Sequence, residues 1–279
     1  MIQRNFLEGW ANVVPWEDFN QVEQDLLISR VIVEIFADDF LRDTLLFRGG
    51  TALYKLHVPE LVRYSEDLDF VMIDKGPIGP VYDAIRKKLD PLLGEPARDQ
   101  KESMAIMTYT YKTELPPREK QTLKLDINYE ENFSVLDQTQ KSFGVDSPWF
   151  SGEADVPTFK PDEMMTSKFR ALFQRKKGRD LFDLWFTITE DLVDPKQILQ
   201  CFEKYTANLD PPITRARFEE NLSQKVHTGD LKGDVEPLLA PKITYNFKEA
   251  VDLIHEKLVK NLPGDPYKGD DNIFVEAET

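Results

Sequence analysis

The sequence predicts an α+β protein. A lobe of mixed strands and helices over residues 1–160 precedes a helical lobe over 161–262 and a polar tail over 263–279. Three observations carry this reading. Stretches rich in β-formers alternate with helical stretches as far as Tyr129, and Pro157 and Pro161 then mark a change of character. Beyond them, apolar residues recur at helical spacing with short interruptions. With 279 residues, of which 41% are hydrophobic and 30% charged, the chain can build one large or two smaller cores.

In order, residues 21–42 place Leu27, Val31 and Ile35 at helical spacing, an amphipathic helix. Residues 45–47 form a short strand running into Gly49-Gly50, and a helix starts over 52–56. Gly49 to Thr51 then sits at a helix N-terminus, where an anion is favoured. Residues 68–73 form a strand and 78–93 a helix. Residues 104–113 and 122–129 read as paired strands around Pro116-Pro117. On the second of these, Lys124, Asp126 and Asn128 share one face. Helices follow over 161–175, 180–190, 195–207, 214–222 and 247–262. The tail holds five acidic residues against one basic and is expected to be loose.

Charge and composition exclude several classes. A net charge of −15, from 35 basic and 50 acidic residues, argues against a non-specific nucleic-acid coat, so any RNA substrate needs a local basic patch. The richest apolar run, Leu26 to Phe36, is broken by Arg30 and Glu34, and no membrane span is expected. The N-terminus carries no signal-peptide pattern, and one cysteine, Cys201, cannot form an internal disulfide, so a cytoplasmic location is expected. Cys201 reads as a core position on a helix, with a reactive thiol as the alternative.

The densest chemistry lies in Arg48-Gly49-Gly50-Thr51 and in Arg63-Tyr64-Ser65-Glu66-Asp67-Leu68-Asp69-Phe70. A Gly-Gly pair lets backbone N–H groups approach a phosphate without a Cβ in the way, and Thr51 adds a hydroxyl donor. On an extended strand Asp67 and Asp69 project to the same side, and Asp126 is the natural third carboxylate. Convergent carboxylates suit Mg²⁺, which completes its shell with water and substrate phosphates. Taken singly, an Asp-x-Asp is most often a solvated strand end and a Gly-Gly a turn.

In the helical half, Lys168 falls at the edge of the stripe formed by Met165, Phe169, Leu172 and Phe173 and needs a partner, a bound triphosphate or a carboxylate, unless it snorkels to solvent. Lys168, Arg170, Arg175, Lys176, Lys177 and Arg179 form a run of six basic residues with no acidic one, an anion-binding surface or else a solvated loop. Asp180 and Asp183 share a narrow helix face, and Asp180 taken alone reads better as a capping residue, a reading that changes only with the wider pattern.

Taken in order, Arg48-Gly49-Gly50-Thr51-Ala52-Leu53, Arg63-x-Ser65-Glu66-Asp67-Leu68-Asp69-Phe70, Lys168 in its helix and Arg179-Asp180-x-x-Asp183-Leu184 resemble the AbiEii/AbiGii toxin family, which includes the MenT toxins. The likeness covers roughly residues 45–190. It implies a polymerase-β-like nucleotidyltransferase lobe with a mixed sheet, completed by a helical C-terminal lobe. It also implies a toxin of a toxin–antitoxin or abortive-infection pair that transfers NMP from an NTP to RNA, with the tRNA 3′ end as target type, using Mg²⁺. Its partners would be the NTP, the RNA and a cognate antitoxin, with no membrane. Carried over by position, Gly49, Gly50, Thr51 and Ser65 bind nucleotide, assisted by Lys168 and Arg175. Asp67 and Asp69 would hold metal, and Asp126, suggested by its strand face and not by the family motif, would serve either a second ion or the proton of the attacking hydroxyl. Lys168 and Asp180 match the family's lysine and aspartate, with Arg48 and Asp183 in support, and Arg170, Lys176, Lys177 and Arg179 would meet RNA. Two other readings are a nucleotidyltransferase for a small molecule or protein, and a non-catalytic nucleotide-binding module.

Overall fold

The computed structural model describes residues 2–130 and 132–274. The chain divides into two units. The first comprises Met1–Phe159 with Ala240–Lys242, and the second Lys160–Leu239 with Ile243–Thr279.

The first unit is built on a mixed seven-stranded sheet. Its strands are β1 (Leu45–Arg48), β2 (Leu68–Met72), β3 (Ala97–Gln100), β4 (Met104–Lys112), β5 (Lys120–Asn128), β6 (Thr139–Ser147) and β7 (Phe150–Thr158), in the order β3-β4-β5-β2-β1-β7-β6. β2 pairs with β5 and β1 with β7 in parallel, and the other neighbours are antiparallel. The expected α+β class holds, with more strands than the sequence announced. β3 is exposed at all four positions and so lacks the apolar alternation that marks a strand. β7 runs through Pro157, near which the sequence changes character; beyond it Thr158 still pairs with Phe47 of β1 and donates its hydroxyl to the Phe47 carbonyl at 2.7 Å.

Helices α1 (Arg4–Trp10), α2 (Phe19–Phe36), α3 (Asp39–Thr44) and α5 (Gly79–Leu93) belong to this unit, with α2 against β6 and β7. The single helix expected over 21–42 is two, because the Asp38 side chain accepts from Leu41 N and caps a new start. Phe36 of α2 meets Phe47 and Phe70, which stack at 5.2 Å, so the strands carrying the candidate site rest on an aromatic floor. After β1, α4 (Gly49–Ala52) continues as a π-helical segment, Leu53–His57. Lys55 anchors that segment from below. Its ammonium lies 2.8 Å from both oxygens of buried Asp25 on α2, which also accepts from the Trp10 and Trp16 indoles.

The second unit is helical: α6 (Pro161–Gln174), α7 (Gly178–Thr189), α8 (Pro195–Thr206), α9 (Arg215–Thr228) and α10 (Phe247–Lys257). Phe169 of α6 packs on Phe202 and Phe218 at 4.7 and 4.6 Å, and Cys201 is buried as a core residue. Lys225 is also buried, its ammonium donating to the Leu172 and Phe173 carbonyls that end α6. The segment expected to be loose is tied down as far as Phe274. Tyr267 N donates to buried Glu219 at 2.7 Å, Ile273 N to Ser223, and the Phe274 ring stacks on His255. Its backbone donors find buried acceptors that its polar composition does not reveal. Residues 275–279 of that segment lie outside the described residues.

Among the described residues no helix is long and apolar enough to cross a membrane.

Candidate active site

In the first unit the site is assembled by strand register. β1 and β2 pair so that Arg48 lies opposite Asp69, and β2 and β5 pair so that Asp69 is matched with Asp126. The two carboxylates therefore stand side by side on one face of the sheet. Gly49 follows at once with φ +82°, and a Cβ there would fall 2.2 Å from Asp69 Oδ2. Only glycine both adopts that backbone and lets the carboxylate close against it.

Gly50 leaves room for two other groups. A Cβ on it would lie 2.7 Å from an Arg63 guanidinium nitrogen and 2.8 Å from Ser65 Oγ. Arg63 is fully buried, donates to the Tyr64 carbonyl and stacks its guanidinium over Tyr54. The sequence reading gave this arginine no role, although it stands two residues before Ser65. Thr51 is also buried. Its hydroxyl donates to the Asp67 carbonyl at 2.5 Å and lies 3.0 Å from Ser65 Oγ. The single Thr51 proton here pins the chain entering β2, because the loop at Asp67 passes within its reach. Asp67 itself lies just ahead of β2.

Asp126 is held from its own strand. Lys124 Nζ stands 2.5 Å from Asp126 Oδ2, while Asp126 Oδ1 is buried with no hydrogen-bond partner. Burial pushes the Lys124 ammonium down, but the Asp126 hydrogen bond and the charges of Asp126, Asp67 and Asp69 outweigh it and hold it above the ordinary lysine value. Among the described residues, no three Asp, Glu, His or Cys side chains converge into a ready cage for a metal ion. The donor set still fits Mg²⁺, which is bound by one or two carboxylates and takes its remaining oxygens from water and phosphate. An unpartnered buried carboxylate oxygen beside a second carboxylate calls for such a cation.

The second unit carries a separate cluster. Lys168 lies 2.9 Å from Asp183 Oδ2 and 3.3 Å from Asp180 Oδ1, and both aspartates are fully buried. Arg175 meets Asp180 with two parallel hydrogen bonds, Nε to Oδ2 at 2.7 Å and Nη2 to Oδ1 at 2.8 Å. Burial pushes the Asp180 carboxyl up, but Lys168 and Arg175 outweigh it and hold it below the ordinary carboxylate range. The partner that Lys168 needs is thus a pair of carboxylates, and Asp180 is an ion-pair centre. Gly178 opens α7 so close to Leu231 that a Cβ would fall 2.2 Å from its carbonyl, and its N–H donates to Asp234. The basic run is partly spent in such contacts. Arg175 is on Asp180, Lys176 on Asp230 at 2.8 Å, and Arg170 lies over Tyr205, whereas Lys177 and Arg179 make no ion pair among the described residues.

A mixed sheet carrying a glycine turn and paired carboxylates, followed by a helical unit, is the architecture of a nucleotidyltransferase. The family model for nucleotidyl transferase AbiEii toxins of type IV toxin–antitoxin systems matches residues 30–253, and the chain belongs to that family. Its fold is similar to that of MenT4, a nucleotidyltransferase toxin from Mycobacterium tuberculosis H37Rv, at TM-score 0.61 and 17% identity over 94% of this chain and 91% of that one. An antigenic nucleotidyltransferase-like protein from Paracoccidioides brasiliensis matches at TM-score 0.36 and 16% identity, over 75% of this chain and 92% of that one. No curated protein matches in sequence.

Proposed function

We propose that this toxin-type nucleotidyltransferase transfers NMP from an NTP to RNA, with the tRNA 3′ end as acceptor, and that it works in the cytoplasm with Mg²⁺. The observation that carries the nucleotide and metal reading is Asp69 set against Gly49 on one side and beside Asp126 on the other. The family resemblance supports the choice of RNA.

On this reading, the Gly49-Gly50 backbone N–H groups meet phosphate oxygens that no side chain obstructs. Asp69 and Asp126, with Asp67, hold the metal, which supplies neutralisation of charge on the phosphates. An acceptor hydroxyl attacks the α-phosphorus. Its O–P bond forms as the bond between the α-phosphorus and the bridging oxygen breaks, pyrophosphate leaves, and the hydroxyl proton passes to water. Arg63, Ser65 and Thr51 orient the turn and the strand entry. Lys168 and Asp180 take the places of the family's lysine and aspartate by resemblance, and in this chain they pair with each other. The partner that restrains the activity is a cognate antitoxin, and a net charge of −15 favours a basic one.

A second reading, with a protein or small molecule as acceptor, is favoured by the ion pairs that occupy Arg175 and Lys176 of the basic run. Incubating the full chain with Mg²⁺, each α-labelled NTP in turn and total tRNA separates the two. Labelled RNA with one preferred NTP is the expected result. Label only in added protein, or in no macromolecule, overturns the RNA assignment.

A further inference from the structure

Lys124 stands at the carboxylate site with no task yet assigned to it in the fold or the reaction. It shares a face of β5 with Asp126, two positions along, which brings its ammonium 2.5 Å from Asp126 Oδ2. Asp69 is the register partner of Asp126 on β2, and Lys124 also lies within the electrostatic reach of Asp67 and Asp69. The ammonium therefore pairs directly with Asp126 and feels the charge of the other two carboxylates assigned to the metal. The pairing is incomplete, because Asp126 Oδ1 stays buried without a hydrogen-bond partner. It is also reversible, because the Lys124 side chain is 40% exposed and its flexible stem can carry the charge out to water.

We propose that Lys124 is an internal counter-cation that competes with the divalent ion for Asp126, so that loading the metal requires the ammonium to leave. This rests on the reading of Asp69 and Asp126 as metal ligands. A half-exposed ion pair is weak, so it relieves repulsion among the carboxylates without locking the site. A doubly charged ion gains more from the same oxygens than an ammonium does. Bare metal must nevertheless overcome the competition, whereas metal arriving on a nucleotide brings phosphate contacts as well. The site thereby favours the metal–nucleotide complex over the free ion.

The test is the binding of Mn²⁺ alone to the full chain, read from the electron paramagnetic resonance signal of the free ion. Lys124→Met keeps the stem and removes the charge, and about fivefold tighter binding is expected. Lys124→Arg keeps the charge and should stay within about twofold of the parent. Adding Asp126→Asn to Lys124→Met should erase the gain. Unchanged or weaker binding in Lys124→Met overturns the competition while leaving the site itself standing. If Asp69→Asn has no effect on Mn²⁺ binding in either the parent or the Lys124→Met background, the assignment of the ligands fails, and the inference with it. Lys124→Gln and thermal unfolding of each variant separate an affinity change from a folding defect.

Discussion

Asp69→Asn is expected to lower nucleotide transfer by about a thousandfold while the protein stays folded. Asp69 carries the largest catalytic load because it is the carboxylate that touches both parts of the proposed site. It stands against the Gly49 turn, where a Cβ would sit 2.2 Å from its oxygen, and beside Asp126 across the β2–β5 pair. Asparagine preserves that shape and removes the charge. The side chain is only half-buried, so unfolding free energy should change by no more than about 1 kcal/mol. Transfer of label from NTP at matched far-UV circular dichroism checks both halves. A variant retaining more than about a tenth of the parent rate removes Asp69 from the chemistry.

The second large effect concerns stability. Lys168→Met is expected to destabilise the protein by about 3–5 kcal/mol, because it removes the ammonium shared by two carboxylates in the interior. Asp180 and Asp183 are fully buried, and although Asp180 keeps Arg175, the ammonium 2.9 Å from Asp183 is lost. Pairing the change with Asp183→Asn should recover a large part of the deficit, since the uncompensated charge then disappears. The midpoint of urea unfolding, followed at Trp185 on α7, reports this. A shift equivalent to less than about 1 kcal/mol would show that the cluster contributes nothing structural. A fall in activity of Lys168→Met is therefore read as catalytic only after its loss of stability has been subtracted.

Much of the framework was readable because it follows from periodicity. The alternation in β5 put Lys124 and Asp126 on one face, and helical spacing put Asp180 and Asp183 together, as the structure shows. The mixed sheet was harder. β3 has no buried position, and in β7 a proline interrupts the alternation that buries Ala154, Val156 and Thr158. The split between α2 and α3 turns on one Asp38 hydrogen bond against the continuing apolar spacing of the helix.

What the sequence could not reveal was how each polar group is spent. Thr51 and Arg175 have the chemistry of phosphate ligands, and the structure gives the Thr51 hydroxyl to the Asp67 carbonyl and Arg175 to Asp180. Nothing in the residue pattern marks Arg63 or Lys55 as buried. Their burial depends on Tyr54, Gly50, Asp25 and two indoles brought in from other parts of the chain. Motif order identified the family, whereas donor and acceptor accounting needed coordinates.

In the proposed mechanism Asp69 and Asp126, beside the Gly49 turn, hold the divalent ion that serves the nucleotide. Anomalous diffraction from crystals grown with Mn²⁺ and a non-hydrolysable NTP tests it most directly. The expected result is a Mn²⁺ peak within ligand distance of both carboxylates, with Lys124 withdrawn from Asp126 and phosphate density at Gly49-Gly50. A peak elsewhere on the protein, with nucleotide bound away from that turn, would contradict the account.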